Sequence, residues 1–120
     1  MGADVPVWDS ADEFGDTPMS ISTLDQAASI ARTLGDGRVA LLRGHGALFV
    51  AGSLPELALL GVYTHENAQL LATSHLLGGG KVKHLSEGEV AESNRMLSIP
   101  GRTVRPWQAW SAAIGMPDGG

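Results

Sequence analysis

Between Val39 and Val50 the sequence reads Val-Ala-Leu-Leu-Arg-Gly-His-Gly-Ala-Leu-Phe-Val. Two short apolar runs flank a histidine that has a glycine on each side. Glycine tolerates backbone angles closed to other residues, so the segment predicts two strands, Val39–Leu42 and Ala47–Val50, meeting around Gly44-His45-Gly46. The same glycines strip side-chain bulk from both sides of His45, so another group can approach its imidazole. If the first strand continued through Gly44, Val39, Leu41, Arg43 and His45 would share one face. On residue chemistry alone His45 has two readings. One is a turn histidine packed against a helix. The other is a metal ligand, a role that suits a neutral imidazole at a strand end.

Helix signals surround this pair of strands. Thr23 and Gln26 have capping-box spacing, and Leu24, Ala27, Ala28, Ile30, Ala31 and Leu34 follow with helical period, stopped by Gly35-Asp36-Gly37. Ser53 and Glu56 repeat the spacing with Pro55 in the first turn, opening a long helix from Leu54 to about Leu77. On it Leu57, Leu60, Thr64, Ala68, Leu71 and His75 mark one face. Gly78-Gly79-Gly80 ends it. Ser86 and Glu89 open a more polar helix to about Leu97, Pro100-Gly101 predicts a turn, and Pro106 to about Ile114 predicts a short last helix. Val5-Pro6-Val7-Trp8 suits a short edge strand. The acidic stretch Asp9–Pro18 reads as a loop, and the residues from Gly115 to Gly120 as a loose tail. Two or three strands make a poor independent sheet, and a helix this long needs a broad surface to cover. Either the sheet is completed by another chain, or these helices pack among themselves in an unusual way.

Composition removes several function classes. The 120 residues carry a net charge of −5, without a basic run, which argues against nucleic-acid binding. No stretch of about 18 apolar residues predicts a membrane span. The acidic start carries no apolar segment of the secretory type. With no cysteine there are no disulfides, and a metal site must draw on His, Asp, Glu or water. The expectation from these absences is a cytoplasmic protein.

The other chemistry-bearing residues read more plainly. His65-Glu66-Asn67-Ala68-Gln69 resembles a His-Glu-x-x-His zinc helix, but Gln69 stands where the second histidine belongs. His65 and His75 lie about 15 Å apart along one helix and cannot share an ion. His75 and His84 have no recognisable partners and read as surface or helix-end residues. Gly78-Gly79-Gly80-Lys81 follows a helix and leads into Val82, so it is a helix stop rather than a phosphate loop. Arg43 and Arg105 read as solvated surface groups. Trp107 and Trp110 share a helical face as core or interface anchors. Neither a Gly-x-Ser-x-Gly elbow nor a carboxylate pair suggests another chemistry.

Leu41-Leu42-Arg43-Gly44-His45-Gly46-Ala47 resembles the corresponding segment of the class II aldolase/adducin family. The likeness extends through Gly52-Ser53-Leu54-Pro55-Glu56, Val62–Ala68, Leu85–Glu89 and Arg105–Trp110. It runs from about Val5 to about Gly115 and covers only the second half of the family's domain. The resemblance implies an α/β fold: the C-terminal half of a three-layer α/β/α domain, with residues 1–120 forming a single partial domain of few strands, one long helix and shorter helices. Family members hold a divalent metal, usually zinc, with three histidines. Two come from a His-x-His motif in the first half and the third from the Gly-His-Gly segment. This chain has His45 for the third and contains no His-x-His.

The resemblance further implies metal-dependent carbon–carbon lyase chemistry (aldolase or decarboxylase), or epimerisation, in the complete domain. There the ion acts as a Lewis acid toward a hydroxy or keto acid or a sugar phosphate. His45 is then one ligand of Zn2+ or another divalent ion. Arg43, Arg105, Trp107 and Trp110 are substrate or interface candidates. Tyr63 is not assigned as the family's catalytic tyrosine, and no catalytic residue is assigned. Three functions are expected in competition: a split or truncated lyase half completed by an N-terminal-half polypeptide or a second protomer; an adducin-like oligomerisation module without catalysis; and a small enzyme repurposed to work without metal.

Overall fold

A computed structural model describes residues 5–99 and 101–116. The expectations for Pro100 and for the tail beyond Met116 lie outside the described residues. The fold is mixed α/β, with a three-stranded sheet and five helices among the described residues. The chain divides between Val50 and Ala51 into two compact units.

The first unit is built on a sheet of order β1-β2-β3, with β1 at Val7–Trp8, β2 at Val39–Leu42 and β3 at Gly46–Phe49. β1 runs parallel to β2, with Val7 beside Leu41 and Trp8 beside Leu42. β2 and β3 form an antiparallel hairpin whose last pair is Leu42 with Gly46. The side-chain period of two then sorts the faces. Trp8, Ala40, Leu42 and Leu48 share one face, on which Trp8 and Ala40 are buried. Val7 and Leu41 share the other, where they are 59% and 40% exposed.

Two helices, α1 at Ser10–Phe14 and α2 at Leu24–Leu34, lie between β1 and β2 in the chain. α2 starts and stops where its sequence says. Thr23 and Gln26 close a full capping box, and Gly35 returns its N–H to Ala31. α2 packs on β1 and β2, and its buried Ser29 accepts the Trp8 indole N–H at 2.9 Å. Ser29 in turn donates to Glu13 Oε1 at 2.7 Å, and the other Glu13 oxygen takes Arg32 at 2.7 Å. A polar chain thus ties β1, α1 and α2 together around the one buried indole of the unit.

α1 occupies part of the stretch expected to be a loop. Asp9 caps it, accepting from the Ala11 N–H at 2.9 Å, and Asp12 and Glu13 sit in the first turn, where negative charge favours a helix N-terminus. Its single turn is too short for an apolar period to reveal.

The second unit is helical: α3 at Leu54–Leu77, α4 at Glu87–Leu97 and α5 at Val104–Ala113. Ser53 caps α3 and Ser86 with Glu89 closes a capping box on α4. α5 begins two residues before the expected start. Pro106 then falls in its first turn, where helix N–H groups lack intrahelical partners anyway. α3 packs against α5, on which Ser111 is buried and Trp107 and Trp110 are half-buried.

The stripe expected on α3 does not form. Leu59 and Leu60 are its buried residues, and every residue from His65 to Leu77 is exposed. Leu70, Leu71, Leu76 and Leu77 stand 64%, 43%, 83% and 85% exposed. The cause is in the sequence. Successive residues on a helix point about 100° apart, so the adjacent pairs 59/60, 70/71 and 76/77 spread leucine around the cylinder.

Candidate functional site

The candidate site is the tip of the β2–β3 hairpin, a three-residue loop of Arg43, Gly44 and His45. The His45 N–H closes it onto the Leu42 carbonyl at 3.0 Å. Gly44 has φ 77°, the left-handed corner that such a turn demands, and Gly46 has φ 145°. β2 stops at Leu42, so Arg43 and His45 do not continue its alternation. The shared face expected for Val39, Leu41, Arg43 and His45 is replaced by a turn, because the left-handed Gly44 breaks the extended backbone.

The two glycines do different work. A Cβ on Gly44 would overlap the Met19 Cε methyl and lie 3.7 Å from Met19 Sδ. The space cleared beside His45 on that side is therefore filled by Met19, itself at φ 63°. A Cβ on Gly46 would meet nothing within 4 Å, so that side of the imidazole is open.

Arg43 is fixed from two directions. Its backbone N–H donates to the Trp8 carbonyl at 3.0 Å, joining the loop to β1. Its Nε lies 2.5 Å from Asp9 Oδ2. Asp9 thus serves as helix cap and as counter-ion at once. The Ala11 N–H, and after it the Arg43 guanidinium, hold its carboxyl below the usual carboxylate range. Arg43 is accordingly engaged in holding the hairpin to α1, and not a free anion receptor. Asp9 escaped the sequence reading. Its signal was present in the pattern of a capping aspartate followed by Asp12 and Glu13.

His45 is exposed at the end of this braced loop. A zinc centre takes three or four protein ligands. Among the described residues no group of three or more His, Asp or Glu side chains comes together to hold an ion. The hairpin tip offers one imidazole and a carboxylate already committed to Arg43. The residues of one chain therefore do not fit a complete zinc centre at this place.

The other sequence candidates lie in the second unit. Arg105 is exposed in the first turn of α5, and Trp107 and Trp110 follow it on the same helix. His65 is exposed on α3, without the second histidine its motif lacks. The glycine run ends α3 as expected. Gly78 returns its N–H to Ser74 at 2.8 Å, and Gly80, following the left-handed Gly79, returns its N–H to His75 at 2.9 Å. His75 and His84, read separately from the sequence, are brought side by side, with ring centroids 6.2 Å apart. The chain matches no protein-family model and no curated protein. No helix among the described residues is long and apolar enough to cross a membrane.

Proposed function

We propose that this chain is the C-terminal half of a class II aldolase/adducin-like domain, and that its His45 supplies one ligand to a metal centre completed by another polypeptide. The activity of the completed domain is carbon–carbon bond cleavage or decarboxylation of a small hydroxy or keto acid or a sugar phosphate, in the cytoplasm. The observation that carries this reading is the hairpin tip. An exposed histidine sits between two left-handed glycines on a loop braced by Asp9, Trp8 and Met19, with its Gly46 side open. Such bracing suits a ligand that must be presented in a fixed position.

Incompleteness elsewhere supports a partner. The sheet has three short strands, one face retains exposed Val7 and Leu41, and the exposed half of α3 carries Leu70, Leu71, Leu76 and Leu77. Grouped exposed leucines of this kind mark a surface for interaction.

The test is metal content by elemental mass spectrometry. The chain is measured alone and after mixing with a separately purified N-terminal half domain bearing His-x-His. Mixing is expected to add one equivalent of zinc beyond the content of the chain alone, and that increment is expected to vanish when the chain carries His45→Ala. A stable pair that takes up no zinc beyond that of the chain alone overturns the reading, as does a mixing-dependent increment indifferent to His45→Ala.

The exposed leucines of α3 favour a second reading, an adducin-like oligomerisation module without catalysis. It requires self-association without metal. Sedimentation of the chelator-treated chain as a monomer retires it.

A further inference from the structure

The contact between His75 and His84 belongs to no part of the reading above. His75 lies in the last turn of α3, and His84 on the segment that leads to α4. Their ring centroids are 6.2 Å apart and the planes are tilted by 51°. Two imidazoles that share an ion, each at a metal–nitrogen distance of about 2.0–2.1 Å, have centroids about 5.2 Å apart at a tetrahedral angle. The observed spacing is about 1 Å wider, a gap that two exposed side chains close by small rotations, and the tilt is not that of stacked rings.

The backbone between them is built to return. Gly78 caps α3, Gly79 turns left-handed at φ 57°, and the Gly80 N–H bonds back to the carbonyl of His75 itself. Lys81 then donates to the Gly78 carbonyl at 3.0 Å. A Cβ on Gly78 would lie 2.5 Å from the Lys81 carbonyl oxygen and 3.0 Å from that of Ser74. Those neighbours are backbone and cannot swing aside. The absence of a side chain at position 78 therefore lets the segment carrying His84 fold back beside His75.

We propose that His75 and His84 form a two-histidine chelate for a borderline divalent transition ion such as Zn2+, Ni2+ or Cu2+. Both rings are exposed, so an ion reaches them from solvent. The intervening segment contains Lys81 and Lys83 and no carboxylate, which disfavours Mg2+ and Ca2+, ions that demand oxygen donors. With no third His, Asp or Glu grouped there among the described residues, water fills the remaining positions. The ion pins the end of α3 to the segment that follows. This site draws on none of the hairpin-tip residues and stands whether or not His45 binds metal.

The experiment is a Zn2+ titration of the full chain carrying His45→Ala, followed by NMR of the imidazole nitrogens. Signals of His75 and His84 are expected to move together and saturate at one equivalent, while His65 stays still. Removing either ligand, by His75→Ala or His84→Ala, should weaken binding by about 10- to 100-fold, because the second imidazole no longer adds at high effective concentration. Gly78→Ala keeps both imidazoles and forces the turn open. It should weaken binding similarly while circular dichroism still reports the helices. The proposal is overturned if His84→Ala leaves the affinity at His75 unchanged. Movement of His65 with the same midpoint overturns it too, since that marks independent binding at scattered histidines.

Discussion

Replacing Gly44 with alanine tests how the hairpin tip is built. The residue sits at φ 77°, where an L-residue with a Cβ costs about 1–2 kcal/mol. The new methyl also lands on Met19 Cε. That contact is the far end of a flexible side chain, so it resolves by a shift of Met19 off its preferred rotamer, at about 0.5–1.5 kcal/mol. Gly44→Ala alone should therefore cost about 1.5–3.5 kcal/mol, seen as a fall of roughly 1–2 M in the urea midpoint by circular dichroism. Met19→Ala removes the obstructing methyl and leaves the backbone strain. In that background Gly44→Ala should cost only about 1–2 kcal/mol, a coupling of about 0.5–1.5 kcal/mol between the two positions. A cost below about 0.5 kcal/mol for the single change refutes the left-handed corner. Equal cost in both backgrounds refutes the packing of Met19 into the Gly44 position.

Two buried serines should respond in opposite ways. Ser29→Ala strands the Trp8 indole N–H and removes a donor from Glu13, and should cost about 1–3 kcal/mol in chemical denaturation. Ser111 Oγ is buried with no hydrogen-bond partner, so Ser111→Ala should be neutral or stabilising by up to about 1 kcal/mol. A loss at Ser111 as large as that at Ser29 contradicts the assignment. The Asp9 carboxyl gives a pH prediction. Because its folded value is lowered, its contribution is present above the ordinary carboxylate range and is lost as pH falls through the depressed value. Carboxyl-carbon NMR should show Asp9 titrating at higher pH in Arg43→Ala than in the wild type, yet still below an ordinary aspartate, since the Ala11 N–H remains the larger cause. An unchanged titration means that Arg43 and Asp9 do not pair in solution.

What was legible in the sequence was local. Thr23 with Gln26, Ser53 with Glu56, and Ser86 with Glu89 mark helix starts because the capping signal needs only residues three apart, and α2, α3 and α4 begin where these signals stand. The hairpin was legible because glycines flank the turn. The packing of α3 was not, since paired leucines blur a helical stripe. The bracing of the tip was not either. Met19 and Asp9 reach Gly44 and Arg43 from the far side of α2 and β2 in the chain, and no periodicity relates them. The His75–His84 contact was hidden for a different reason. Nine positions apart, the two residues match neither a helical nor a strand period. They meet because a glycine turn reverses the chain between them.

Two histidine loci in separate units make the metal measurement a two-variable problem, and the variables separate cleanly. Zinc bound to the isolated chain has two sources, the hairpin tip and the end of α3. One imidazole from the tip holds an ion weakly unless other groups close around it, whereas two imidazoles on one short turn act together. Zinc on the isolated chain should therefore disappear with His84→Ala and survive His45→Ala. Zinc that appears only on mixing with the complementary half should show the reverse dependence. Loss of both increments with His45→Ala alone would place all the metal at the hairpin tip and remove the α3 site. Loss of both with His84→Ala alone would leave His45 as a braced surface residue, and the aldolase-like reading would lose its metal. Gly44→Ala adds a check that His45→Ala cannot provide. It leaves every imidazole in place and disturbs only how one is presented, so a fall in the mixing-dependent zinc would tie ligation to the geometry of the loop.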